Sequence, residues 1–269
     1  MRRIICALVV MFAPAATAAP RRVVSLDYCA DQYVLALADA SQIAAVSRGA
    51  LRDDSYYRSR AVGLRRTRGS LEDVLPLKPD LVVRNWGGPW NAAEVYARFG
   101  VPVLQVGDRH DFAAARADLA HAAAVLGQTA RGEALAHDLD GRLARLSRAA
   151  PARRPDVIYL SAGGAVAGSG VLMDRVIAAA GGRNLWRGSS WTVLPLERFV
   201  ATPPALIATG FFDTGRTRVN AWSPSRHPVM QRLLARTRSV SLPASSISCE
   251  AWTAIDAAEI IAAALRVPA

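Results

Sequence analysis

The sequence predicts an α/β protein of two lobes, each with a mostly parallel sheet, joined by one long spanning helix. Three features of the chain predict it. Short β-rich runs alternate with helical stretches from Arg22 onward, as in parallel α/β sheets. Between Phe112 and Ala150 that alternation stops for nearly forty residues of helical periodicity. Finally, "SLEDVLPLKPDLVV" (Ser70 to Val83) is echoed by "PLERFVATPPALIA" (Pro195 to Ala208), with Leu71, Glu72, Pro79 and Leu81 meeting Leu196, Glu197, Pro204 and Leu206. A helix-then-strand unit written twice marks one copy per lobe. Length alone is open: 269 residues fit one large α/β unit or two lobes of roughly 110 to 130 residues.

The elements follow in order. Residues 1–18 have the layout of a signal peptide: Arg2 and Arg3, an apolar stretch from Ile4 to Ala13, then small residues ending in Ala16-Thr17-Ala18. Cleavage is expected after Ala18, because cutting after Ala19 would leave Pro20 beside the scissile bond. The alternative, a membrane anchor, has too short an apolar region, and Cys6 stands at the start of that region rather than at its end, where a lipid would be attached.

"RVVSL" reads as a strand, and Asp31 to Ala38 as a helix. Ser70, with Asp73 three residues on, caps a helix that Pro79 ends before the strand "DLVV". "NAAEVYARFG" is a helix closed by Gly100, and "VPVLQV" the next strand. The helical region breaks once at Gly127. Its second part, Ala130 to Arg148, carries Leu135, Leu139, Leu143 and Leu146 at spacings of four, four and three. Such a helix is about 28 Å long, enough to run across a lobe or from one lobe to another, and periodicity alone does not exclude an ordinary surface helix of a single domain. After "PARRP" come the strand "DVIYLS", a Gly-rich loop "AGGAVAGSG", a helix from Val171 to Ala180, the strands "ALIATG" and "SVSLP", and a closing helix from Ala254 to Leu265. The predicted organisation is a first lobe over 19–128, an interlobe helix over 129–150 and a second lobe over 151–269.

Composition narrows the function. Beyond the first 20 residues no apolar run approaches a membrane span. Net charge is +11, or +9 without Arg2 and Arg3, but the arginines are scattered along the chain and no nucleic-acid recognition motif is present. Export leaves Cys29 and Cys249 in an oxidising compartment, where two cysteines can form one disulfide. His110, His121, His137 and His227 lack metal-ligand spacing, so no structural metal is expected. "GGAVAG" satisfies GxxxxG without the lysine and hydroxyl of a phosphate loop, and no GxSxG, HExxH or Ser/His/Asp order gives catalysis a starting residue.

Tryptophans at strand ends are the strongest local signal. Trp86 and Trp90 follow "DLVV", Trp191 precedes the second repeat, and Trp252 follows "SVSLP". Loops beyond the carboxyl ends of parallel strands line ligand crevices, and indoles there suit a large, partly apolar ligand; packing against the sheet is the other fate open to each. Glu72 and Glu197, taken singly, are first-turn carboxylates favoured by the helix dipole. Taken together, at matching places in two lobes, they suggest a pair of acidic knobs on one face.

These residues resemble the periplasmic substrate-binding proteins of ABC importers for ferric siderophores, haem and cobalamin. The resemblance runs from "RRVVSLDYCADQYVLALAD" through "SLEDVLPLKPDLVV", "RFGVPVLQV" and "GSGVLMDRVIAAAGGRNLW" to "ISCEAW"; "LDYCADQ" departs from the serine-proline start common in the family. It implies a monomeric, non-catalytic periplasmic receptor with a ligand cleft between the lobes. No resident cofactor is implied, since cobalt or iron travels in the cargo, cobalamin or a ferric siderophore. The implied partner is an ABC permease dimer with its ATPase, whose arginine pockets would receive Glu72 and Glu197. Implied ligand contacts are Tyr28, Arg84, Trp86, Trp191 and Trp252. Trp191 matches a corrinoid-contacting position, while Trp86 is one residue displaced from its counterpart, where Asn85 stands. Arg84, Arg48 and Arg218 would instead favour an anionic iron chelate. Cys29 and Cys249, if both face the crevice, would link the lobes. An exported enzyme using the same cleft, or a sensor without its own transporter, are the other readings.

Overall fold

A computed structural model describes residues 18–193, 202–212 and 227–267. The signal-peptide stretch before Ala18, Glu197 and Arg218 lie outside the described residues.

The first sheet has the order β3-β2-β1-β4-β5, all parallel: β1 (Val23–Ser25), β2 (Ile43–Ser47), β3 (Arg66–Thr67), β4 (Leu81–Arg84) and β5 (Val103–Gln105). From β1 the chain builds outward to β2 and β3 on one side and then returns to place β4 and β5 on the other. The order therefore reverses between β1 and β4, and a crevice opens beyond the carboxyl ends of strands at such a reversal. Helix α1 (Tyr28–Leu37) starts earlier than periodicity alone indicates, because Asp27 caps it, accepting from the backbone N–H groups of Cys29 and Ala30 at 3.1 and 2.9 Å. The capped helix at Ser70 is only α2 (Leu71–Val74), followed by a 3₁₀ turn. Next comes α3 (Ala92–Ala97).

The second sheet has the order β11-β10-β6-β7-β9, with β8 on β6: β6 (Asp156–Ser161), β7 (Ala165–Ala167), β8 (Arg183–Asn184), β9 (Trp191–Val193), β10 (Leu206–Gly210) and β11 (Ser239–Leu242). Strands β6, β8, β10 and β11 run parallel, while β7 and β9 are added antiparallel. The Gly-rich segment read from sequence as a loop thus contains a strand: its glycines make the turn, and "AVA" pairs back on β6. Around this sheet lie α6 (Leu172–Ala179), α7 (Pro228–Arg236), α8 (Ala244–Ile247) and α9 (Ile255–Arg266).

Between the lobes stand α4 (Phe112–Val125) and α5 (Thr129–Arg148). At 1.5 Å per residue α5 is about 30 Å long. It lies close on α4 because Gly132 has no Cβ; one added there would sit only 2.2 Å from the Ala123 Cβ. One end of α5 is held by the first lobe, where Arg131 pairs with Asp39 at 2.7 Å. Farther along, Arg142 reaches the second lobe, donating to Asp256 at 2.5 Å and Glu259 at 2.6 Å on α9. These bonds raise the Arg142 pKa and hold the Glu259 carboxyl below its ordinary range. One apolar core runs through both lobes, from Val23 and Tyr33 past Leu119, Leu139 and Leu146 to Val157, Trp252 and Ile261. No helix among the described residues is long and apolar enough to cross a membrane.

Candidate functional site

A cavity of about 530 Å³ opens at the carboxyl ends of both sheets, within the ~300–1,000 Å³ usual for small-molecule sites. From the first lobe it is lined by Tyr28, Cys29 and Tyr33 at the start of α1, by Asn85 and Trp86 after β4, and by Gly107 and Asp108 after β5. From the second come Tyr159 and Ser161 on β6, Trp191 on β9, Phe211 after β10, and the segment Ile247 to Ala251 after β11.

Two buried carboxylates shape the first-lobe wall without entering it. Asp27, 1% exposed, takes the N-terminus of α1 on Oδ1 and the backbone N–H groups of Asn85, Trp86 and Gly87 on Oδ2 at 2.8, 3.1 and 2.8 Å. A single side chain therefore fixes the two segments that carry Tyr28 and Trp86. Asp118 does the same for the third: it accepts from Gly107 N–H at 2.8 Å and the Tyr33 hydroxyl at 2.6 Å, and pairs with Arg109 at 2.7 Å. Gly107 has φ +85°, and a Cβ there would fall on the Asn85 amide, which itself donates to the Val106 carbonyl at 2.7 Å. Asp108 and Phe211, from opposite walls, both have positive φ, 56° and 64°. Such backbone persists in non-glycine residues only where the surroundings impose it, and it clusters at ligand sites.

Tyr28 and Trp86 meet edge-to-face at 6.0 Å, and the Arg52 guanidinium, paired with Asp54 at 2.8 Å, lies 4.4 Å from the Tyr28 ring centre. Across the cavity Trp191 stands edge-on to Tyr159 at 5.6 Å. Trp86 is 58% and Trp191 43% exposed, so one indole from each lobe offers a large apolar face to the opening. Beside Trp191 is Glu250. Burial pushes its carboxyl above the ordinary range, and Asp108 adds to the rise; His110, 3.9 Å away across the lobe boundary, and a hydrogen bond from the Trp191 indole pull it back. Sequence reading missed Glu250, Asp108, Tyr159 and Phe211, although "ISCEAW" contained the first and "DVIYLS" the third.

Three expected contacts fall elsewhere. Trp252 is 5% exposed and packs edge-on against Tyr33 at 4.8 Å, so it belongs to the core and not to the cavity wall. The chain between β11 and Trp252 is taken up by α8 and a tight turn, which carries the indole past the opening and beneath α1. Arg84 turns its guanidinium back to the carbonyls of Trp86 and Trp90, at 3.2 and 3.4 Å, and does not line the cavity. Arg48 lies in a separate pocket on the first lobe.

Cys29 and Cys249, both lining the cavity, are joined as a disulfide with their Cα atoms 5.5 Å apart. Around it the lobes are stitched by the Ser248 hydroxyl donating to the Asp54 carbonyl at 2.7 Å and the Tyr56 hydroxyl donating to Asp256 at 2.7 Å. Glu72 is exposed at the start of α2, and its carboxyl is held below the usual range by hydrogen bonds from its own backbone N–H and the Ser70 hydroxyl.

Two lobes with parallel sheets, a spanning helix and an aromatic cavity between the strand ends define a cleft-type solute-binding protein. The model of the periplasmic binding protein family matches residues 23–218, and the chain belongs to that family. Solved structures agree in fold. A periplasmic haem-binding protein from Pseudomonas aeruginosa is 23% identical, with 90% of this chain and 93% of that one covered at a TM-score of 0.67. The haem-binding protein HutB of Vibrio cholerae is 18% identical, with 91% and 99% covered at 0.73. The vitamin B12-binding protein BtuF of Vibrio cholerae is 20% identical, with 92% and 97% covered at 0.67. No curated protein matches the chain by sequence.

Proposed function

We propose that the chain captures a metal chelate, a cobalamin or a ferric siderophore, in the interlobe cavity and delivers it to an ABC permease and its ATPase. The observation that carries this reading is the pair of exposed indoles, Trp86 and Trp191, presented by separate lobes to one opening. Flat aromatic faces grip a large macrocycle or chelate by area while polar edges stay wet. The relatives named as haem- and B12-binding proteins share the fold. A corrinoid is the leading cargo. Among the described residues the cavity is lined by the carboxylates Asp108 and Glu250 and by no arginine or lysine, a poor match for an anionic ferric catecholate. The metal travels in the cargo and no resident cofactor is required; the protein binds without turnover and works as a monomer, exported by residues 1–18.

Glu72 and Glu197 are the docking pair, one on each lobe, engaging arginines of the permease through charge-assisted contacts. The Cys29–Cys249 link beside the cavity limits how far the lobes open. Titrating the mature protein with cobalamin, haem and several ferric siderophores, followed by tryptophan fluorescence, tests the reading. Cobalamin should quench, and Trp86→Ala and Trp191→Ala should each weaken binding by roughly tenfold or more. If no chelate binds, the import function is wrong.

A further inference from the structure

Several arginines of this chain are neutralised by a carboxylate: Arg52 by its near neighbour Asp54, and, from farther along the chain, Arg109 by Asp118, Arg116 by Asp140, Arg131 by Asp39 and Arg183 by Asp156. A second pocket, of about 280 Å³, breaks that habit. Arg48, Arg65, Arg66 and Arg68 line it, all four exposed, and none forms an ion pair among the described residues. Arg65, Arg66 and Arg68 come from one run, "RRTR", and the fold brings Arg48 beside them. Arg48 follows β2, and Arg66 belongs to β3, whose register on β2 pairs Ser47 with Thr67. Arg66 and Arg68 flank the buried Thr67, so strand alternation turns both outward. The one carboxylate in the lining, Asp73, accepts from the Arg68 backbone N–H at 3.1 Å. Four cations against one carboxylate leave the concavity with an excess of positive charge that an entering anion would relieve, and the guanidinium fork fits a phosphate oxygen pair.

We propose that Arg48, Arg65, Arg66 and Arg68 form a phosphate-binding site whose occupant is the headgroup of an acidic phospholipid. The site lies two residues from Ser70, which caps the helix bearing Glu72. On the receptor reading, which this assignment of the lipid rests on, that is the side presented to the membrane. The arginines would hold the loaded receptor at the bilayer surface in the orientation in which Glu72 meets the permease.

The test is flotation of the mature protein with vesicles of phosphatidylcholine alone and with phosphatidylglycerol added, alongside titration with inorganic phosphate. The protein should bind only the acidic vesicles, less so as salt rises. Changing all four residues to glutamine should weaken partition on the order of a hundredfold, since each basic residue near an acidic surface contributes severalfold. The pairs Arg48→Gln/Arg65→Gln and Arg66→Gln/Arg68→Gln should each lose about half of that on a logarithmic scale, and they keep the test usable if the fourfold variant folds poorly. A control losing the same charge elsewhere, Arg148, Arg153, Arg154 and Arg266 to glutamine, should bind nearly as wild type. Equal loss in the control, or no preference for acidic vesicles, overturns the site. Saturable binding of inorganic phosphate without vesicle binding overturns the lipid assignment. Chelate affinity should be untouched in every variant, so failure here is distinct from failure of the cargo titration.

Discussion

Replacing Asp27 with alanine removes the acceptor for five backbone N–H groups at once. Loss of the cap of α1 costs about 1 kcal/mol. The N–H groups of Asn85, Trp86 and Gly87 are then left without their acceptor, at roughly 1 kcal/mol each at the lower end of the usual range. The sum is about 4 kcal/mol, a large share of the ~5–15 kcal/mol by which domains are stable. Asp27→Asn keeps one acceptor oxygen and can serve the helix or the loop, not both, so about half of that loss is expected. Urea unfolding of the mature, oxidised protein measures it. With a slope of about 2.5 kcal/mol/M the alanine variant should unfold about 1.5 M earlier. Chelate affinity should fall as well, because the segment bearing Trp86 is released. A midpoint shift below about 0.4 M would show that Asp27 does not hold these segments together.

Three further outcomes follow from the same geometry. Burial raises the Asp31 carboxyl from 3.8 to about 6, despite its bonds from Ser47. The folded protein therefore holds that proton more tightly than the unfolded chain, and the stability from this group, up to about 3 kcal/mol, is present below pH ~4 and lost as pH rises through about 6; Asp31→Asn should flatten that part of the stability–pH curve, and an unchanged slope would contradict the assignment. Cys29→Ser should destabilise the protein, by up to about 5 kcal/mol on the chain-entropy relation for a sequence separation of 220 residues, read as a lower thermal midpoint than the oxidised parent and insensitivity to reductant. The double variant Glu72→Ala/Glu197→Ala should bind chelate normally and fail in uptake; unchanged uptake would remove the docking role.

Strands buried on both faces were the most legible part of the chain. "DVIYLS" coincides with β6, since a continuous apolar run bounded by Pro155 and a glycine loop has few other fates. The long helix α5 was also plain as a helix, because four leucines at helical spacing do not depend on neighbours; that it stands between the lobes was not, since periodicity says nothing of what the helix packs against. Strands β3, β7 and β9 were not readable: they are two or three residues long and exist only through pairing partners distant in sequence. The cavity was half legible. Strand ends announced Trp86 and Trp191, but no local pattern says whether an indole turns outward like these or inward like Trp252. Glu250 carried no signal of its own, because its significance comes from Trp191 beside it and His110 from the other lobe.

On the receptor reading, the single core that passes through both lobes, with the Cys29–Cys249 bond at its edge, predicts a cup rather than a trap. A trap announces its catch by snapping shut, so the downstream machine can ignore open ones. A cup would keep nearly one shape, full or empty, and the difference on offer would be the cargo showing at its rim. Empty cups then occupy the same landing place as full ones. Delivery should slow when receptor greatly outnumbers both chelate and transporter, and the advantage of a filled receptor must come from what the transporter touches inside the opening.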